Sequence, residues 1–209
     1  MPLNFKGFTS LPISRSPHHD DWKRVMVAPL GRGPWDAKMG EWTALNPVDQ
    51  LRAVNRWVNG QIRYKEDRDV WGTVDYWATP REAFYSKQRQ GDCEDYAILK
   101  RAILLKLGWK SREMFLYLVR MRSRRGQAHA VLAVQFGQKA YVLDNYNDRL
   151  PEIKQLMDYT PAFAFSRTES GDAVAWLSGR DNTASSDSAP DAPRPMTALE
   201  RIQAAQRQN

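Results

Sequence analysis

One cysteine occurs in this chain, Cys93, and it sits in Gly91-Asp92-Cys93-Glu94-Asp95-Tyr96. Gly91 and Asp92 read as a turn and an N-cap. The run from Glu94 to Leu107, closed by Gly108, is a predicted helix with Cys93 on its first turn. A lone cysteine makes no internal disulfide, so it is a buried filler, a metal ligand or a nucleophile. Its place at a helix start favours the nucleophile, because the positive end of the helix dipole stabilises a thiolate, the reactive form.

Two further residues complete a candidate site. His129 lies in the β-branched, apolar run Ala128–Phe136 and Asp144 in Lys139–Tyr146, both predicted strands. Between them Gly137-Gln138 reads as a two-residue hairpin turn. If Phe136 pairs with Lys139, then Val131 pairs with Asp144 and His129 with Tyr146. His129 and Asp144 become diagonal neighbours on one sheet face, roughly 7–8 Å apart at the backbone. A three-residue turn would put them on opposite faces. In the order Cys, His, Asp, the histidine takes the thiol proton and the aspartate orients the imidazole and supports its charge. The other two histidines, His18 and His19, lie in a polar N-terminal stretch and read as a tag or a solvated loop.

These segments resemble the bacterial transglutaminase-like cysteine proteases of the LapG type, over about Asp49 to Phe165. The resemblance rests on Ala53-Val54-Asn55-Arg56-Trp57-Val58-Asn59, on Val70-Trp71-Gly72-Thr73-Val74-Asp75-Tyr76-Trp77-Ala78-Thr79-Pro80, on Gly91-Asp92-Cys93-Glu94-Asp95-Tyr96-Ala97, and on the strands holding His129 and Leu143-Asp144-Asn145. It implies an α+β, papain-like or transglutaminase-like core, with the cysteine helix packed on an antiparallel sheet. It implies Cys93 as nucleophile, His129 as base and Asp144 as orienting acid. It further implies a periplasmic, calcium-dependent enzyme that cuts a large surface adhesin near its N-terminus, at paired small residues, and releases cells from biofilm. A membrane receptor for cyclic di-GMP holds such enzymes inactive.

With the resemblance, Asp92 and Glu94 are the favoured calcium ligands, with Asp75 and Asp95 as further candidates, since calcium takes several carboxylate and carbonyl oxygens. Acids beside a thiol raise its pKa, and a bound cation would remove that penalty. The plainer reading is that Asp92 caps the helix and Glu94 and Asp95 are favourable first-turn acids. Trp71 and Trp77, just ahead of the cysteine helix, are either core residues or walls of the cleft, where an indole N–H would help hold an oxyanion. The Cys93 amide is the more secure donor.

Composition bounds the rest. The 209 residues are 42% hydrophobic, with eight Trp, enough for one domain with a real core. The net charge of +7 has no helix-turn-helix, zinc spacing or aromatic-interleaved basic platform beside it, so no nucleic-acid partner is expected. The densest basic run, Arg120–Arg125, reads as a solvated inter-strand loop or a steering surface for an acidic partner. No stretch reaches the ~18–20 apolar residues of a membrane span, and Met1–Phe8 lacks a secretory apolar stretch. Residues 1–48 read as a loop-rich extension with a short helix near Asp21–Met26, and 49–177 as the protease domain. Residues 178–209 read as a disordered tail with a short helix at Thr197–Gln203. A helix over Gln50–Asn59 with Leu51, Val54, Trp57 and Val58 on one face should end at Gly60. Two other functions stay open: an acyl transferase of the same fold, and a non-catalytic receptor-binding module.

Overall fold

The computed structural model describes residues 1–2, 4–86, 88–168 and 170–180. Its strands are β1 (Phe8–Ile13), β2 (Arg63–Tyr64), β3 (Gln90–Gly91), β4 (Met114–Met121), β5 (Gln127–Phe136), β6 (Lys139–Leu143), β7 (Tyr159–Arg167) and β8 (Ala173–Arg180). Its helices are α1 (His19–Met26), α2 (Asp36–Thr43), α3 (Pro47–Gln61), α4 (Asp67–Val70), α5 (Pro80–Tyr85) and α6 (Cys93–Lys106). Six strands form one antiparallel sheet in the order β1-β8-β7-β4-β5-β6, and β2 and β3 form a short parallel pair. Helices packed on an antiparallel sheet make this an α+β fold, as expected.

The sheet is covered on both faces, and the period-2 pattern of its strands shows it. On β4, Met114 and Leu116 face the helices with Leu132 and Val134 of β5, in a core shared with Leu51, Val54 and Val58 of α3 and with Leu99 and Ile103 of α6. The alternate residues Phe115, Tyr117, Val119 and Met121 face a second cluster with Val131, Val142 and Tyr159. Within α6, every residue from Glu94 to Leu104 is buried, so this helix is the axis of the molecule rather than a surface helix.

The boundaries differ from the sequence reading at several points. α3 starts on the Asn46 cap, whose side chain accepts from the Asp49 amide at 3.1 Å, and has Pro47 in its first turn. It runs through Gly60 to Gln61, because the Ile62 amide still reaches the Val58 carbonyl. Residues 1–48 are no loose extension. They supply β1, α1 and α2, and Trp22, Trp35 and Trp42 are buried in the main core. Pro12 is accommodated because β1 is an edge strand. Residues 178–180, assigned to the tail by sequence, belong to β8 and pair with β1. The expected disorder and helix farther on fall in residues 181–209, outside the described residues.

Candidate active site

Cys93 is the first residue of α6, one position earlier than the sequence suggests, with only Asp92 between it and β3. Its backbone N–H has no acceptor within the helix, as for every first-turn amide. The half-buried thiol lies by the Ala130 amide and 3.2 Å from Glu94 Oε2. Ala130 is the residue after His129, so α6 brings the nucleophile to the strand that carries the base.

The hairpin forms as the two-residue turn requires: Phe136 pairs with Lys139 and Leu132 with Leu143. β6 ends at Leu143, one residue short of Asp144. The alternation still places His129 and Asp144 together, with His129 Nε2 2.9 Å from Asp144 Oδ1. Both side chains are almost fully enclosed. Asp144 is further held by the Tyr146 amide at 2.9 Å and the Tyr159 hydroxyl at 2.5 Å. Burial acts to raise the Asp144 carboxyl, but the His129 contact and these hydrogen bonds outweigh it and hold the group below the usual carboxylate range. Tyr146 stacks on the His129 ring at 4.4 Å, and the exposed Arg124 lies 4.3 Å over Tyr146. The basic run is therefore a turn whose Arg124 reaches the rim of the site.

The thiol is not activated by its helix position alone. Burial pushes the Cys93 pKa well up, and the charges of Glu94 and Asp92 push it further. Those two acids belong to a larger cluster. Carboxylate oxygens of Asp67, Asp92 and Asp95 lie within 4.8 Å of one another, as do those of Asp67, Asp75 and Glu94. Asp67, Asp92, Glu94 and Asp95 are buried, and burial raises each carboxyl, Asp67 to about 6.

The capping reading of Asp92 fails on this geometry. Asp92 holds the N-cap position, yet its side chain makes no capping hydrogen bond. Oδ1 of Asp67, Oδ1 of Asp92 and Oδ2 of Asp95 are buried without a partner. The opposite oxygens of Asp67 and Asp95 accept from the Tyr76 and Ala78 amides, which fixes both carboxylates in place. Gly91 leaves the room for this, since a Cβ there would strike the Asp95 side chain. Preset, unpartnered carboxylate oxygens fit a hard divalent cation such as calcium.

Sequence reasoning missed three parts of the site. Asp67 lies in the charged run Lys65–Asp69, where nothing in the sequence marks it out. Tyr146 is placed opposite His129 by the hairpin register but with no role, and Tyr159 carries no signal in the sequence. His18 is no loose tag residue: its ring stacks on Trp77 at 5.3 Å and its Nδ1 lies 3.4 Å from Asp75 Oδ2. That contact, followed by burial acting the other way, leaves the Asp75 carboxyl lowered. Trp77 is no cleft wall. It is 1% exposed, packs edge-on against Phe165, and hydrogen-bonds Asp75. Trp71 lies half-buried against Tyr76 at 4.9 Å, with its indole nitrogen unpartnered.

The sequence profile of the bacterial transglutaminase-like cysteine proteinases (BTLCP) matches residues 37–184. The chain belongs to this family. It is accordingly a cysteine protease with a transglutaminase-like core. Among solved structures, Legionella pneumophila LapG is similar at 24% identity and a TM-score of 0.57, over 80% of this chain and 90% of that one. A calcium-bound form of the Legionella LapG matches at 20% identity and 0.57, over 90% of this chain and 97% of that one. An EGTA-treated form matches at 23% and 0.56, over 80% and 87%. No curated protein sequence matches the chain.

Proposed function

We propose that this protease is a calcium-dependent endopeptidase that cuts the N-terminal region of a large surface adhesin in the periplasm and so releases cells from biofilm. A membrane-bound cyclic di-GMP receptor would hold it inactive. The observation that carries the catalytic half is the 2.9 Å His129–Asp144 pair beside a thiol at the start of a buried helix. The calcium half is supported by the three unpartnered carboxylate oxygens next to that thiol. Adhesin, receptor and compartment rest on the resemblance to the LapG type. Among the described residues, no helix is long and apolar enough to cross a membrane.

The chemistry of this reading is that of a Cys–His–Asp site. With Nε2 engaged by Asp144, Nδ1 of His129 takes the thiol proton as the Cys93 sulfur attacks the scissile carbonyl carbon. The C–S bond forms, and the carbonyl electrons move to oxygen, where the Cys93 backbone N–H donates to them. His129 returns the proton to the leaving amine, the C–N bond breaks, and a thioester remains. Water then gives a proton to His129 and its oxygen attacks the thioester. The C–S bond breaks, the sulfur recovers the proton, and a carboxylic acid leaves. Asp67, Asp92 and Asp95, with Asp75 and Glu94 beside them, would hold calcium. When bound it supplies positive charge that offsets the acids raising the thiol pKa.

The test is incubation of the protein with recombinant N-terminal adhesin fragments that contain paired small residues, in calcium and in excess chelator. Cleavage to two defined products in calcium alone supports the proposal. Cleavage undiminished in chelator refutes the calcium half, and no cleavage of any adhesin fragment refutes the substrate.

A further inference from the structure

Two asparagines in the second half of α3 interrupt the face on which Leu51, Val54 and Val58 are buried. Asn55 is fully buried on the stripe formed by Leu51, Val54 and Val58, and Asn59 follows one turn later on the same side. A buried asparagine is costly unless hydrogen-bonded, and it weakens a helix interior. Both therefore need a structural reason.

Their amide groups point at one short loop. The two N–H groups of Asn59 Nδ2 are shared among three acceptors, the Asp144 carbonyl at 2.9 Å, Asp148 Oδ1 at 3.1 Å and the Asn147 carbonyl at 3.3 Å. Asn55 Nδ2 donates to the same Asn147 carbonyl at 3.2 Å. Arg56, between them, lies 3.6 Å from the other Asp148 oxygen. The loop they hold starts at Asp144, the His129 partner, and contains Tyr146, whose ring stacks on His129. It lies just past the end of β6, where sheet hydrogen bonds no longer fix the backbone.

Lys100 of α6 is fully enclosed, and the charges that act on it are the carboxylates of Asp144 and Asp148. The charged and titratable groups around Asp144 are thus His129 of β5, Tyr159 of β7, Lys100 of α6, and Tyr146 and Asp148 of its own loop. Arg56 lies beyond Asp148 and Arg124 beyond Tyr146.

We infer that Asn59, with Asn55 behind it, is a positioning residue for catalysis: it clamps the 144–148 loop to α3 and so fixes Asp144 and Tyr146 against His129. The segment Ala53–Asn59 thereby acquires a role that none of the catalytic residues explains. The inference rests on the Cys93–His129–Asp144 reading. Neither asparagine touches substrate. When the clamp is released, Asp144 and Tyr146 no longer hold the His129 ring in place, and proton transfer from Cys93 to that ring during attack slows.

The test needs no substrate. The rate of Cys93 alkylation by iodoacetamide at neutral pH, and the ring-nitrogen NMR shifts of His129, which report its tautomer, are measured in calcium-containing buffer for the wild type, Asn59→Ala, Val54→Ala and His129→Ala. Val54 is buried in the main core and lies on the same helix, so Val54→Ala reports the effect of loosening α3 without releasing the loop. The expected result for Asn59→Ala is alkylation about tenfold or more slower, with the His129 ring signals moved from their wild-type positions. Val54→Ala is expected to keep the wild-type rate and ring signals. If Asn59→Ala behaves like the wild type, or no differently from Val54→Ala, the clamp is refuted. If His129→Ala slows alkylation and Asn59→Ala does not, only the clamp falls. If His129→Ala leaves the rate unchanged, the triad reading falls and takes the clamp with it.

Discussion

His129 presents its Nε2 to Asp144 at 2.9 Å, which leaves Nδ1 as the ring nitrogen that can take the Cys93 proton. Asp144→Asn keeps the size of that partner and removes its charge. We expect kcat on a cleavable substrate to fall about 10³–10⁴-fold, as it does when the orienting aspartate of a serine triad is neutralised. A melting temperature close to that of the wild type would show that the loss is chemical. A variant with near-normal kcat would remove Asp144 from the catalytic role.

Calcium should also stabilise the folded chain, because the unpartnered oxygens of Asp67, Asp92 and Asp95 exist as a set only when folded. Ligand at about 100 times its Kd adds roughly 2.7 kcal/mol. A thermal melt with and without chelator reads this directly. Asp67→Asn should reduce the calcium-induced shift, and an unchanged shift in that variant would place the ion elsewhere.

Gly91 adds a second handle on the same cluster. Gly91→Ala should push the Asp95 side chain from its seat and weaken calcium binding, as measured by isothermal titration. Unaltered affinity would mean that Asp95 does not ligate.

Lys100 gives a pH signature. Burial lowers its pKa to about 7, against attraction from Asp144 and Asp148. Between that value and about 10.4 the unfolded lysine holds a proton that the folded one has released. The unfolded state binds more protons there, so this lysine makes stability rise with pH across the window. The slope is at most about 1.4 kcal/mol per pH unit. The urea midpoint at pH 9.5 minus that at pH 7 should therefore be smaller in Lys100→Met than in the wild type. Equal differences would show that Lys100 is charged in the fold.

The parts of this molecule legible in the sequence were those governed by short-range rules. A two-residue turn between alternating strands set the register that brings His129 to Asp144, and a Gly-Asp turn before an apolar run marked the start of α6. What stayed hidden depended on distant contacts. Trp22, Trp35 and Trp42 pack into the core, but the prolines around them read as loop. Asp67 joins the acidic cluster across a tertiary contact, and nothing in a charged run separates it from its solvent-facing neighbours. Asp92 reads both as a ligand and as a cap because it stands where caps stand, and its side chain, which makes no capping bond and leaves Oδ1 unpartnered, separates the two. Trp77, which the sequence leaves open between core and cleft, is a core residue, with the His18 ring stacked on it.

Because α6 is enclosed along its length from Glu94 to Leu104, its first residue has little freedom to travel. Sliding or tilting that rod would open gaps against α3 and the sheet, and close-packed interiors resist this. The sulfur is consequently a fixed anvil. Any control over this protease must act on what surrounds it: the acidic cluster of Asp67, Asp92 and Asp95, the Arg124 and Tyr146 rim, or a partner that covers the opening.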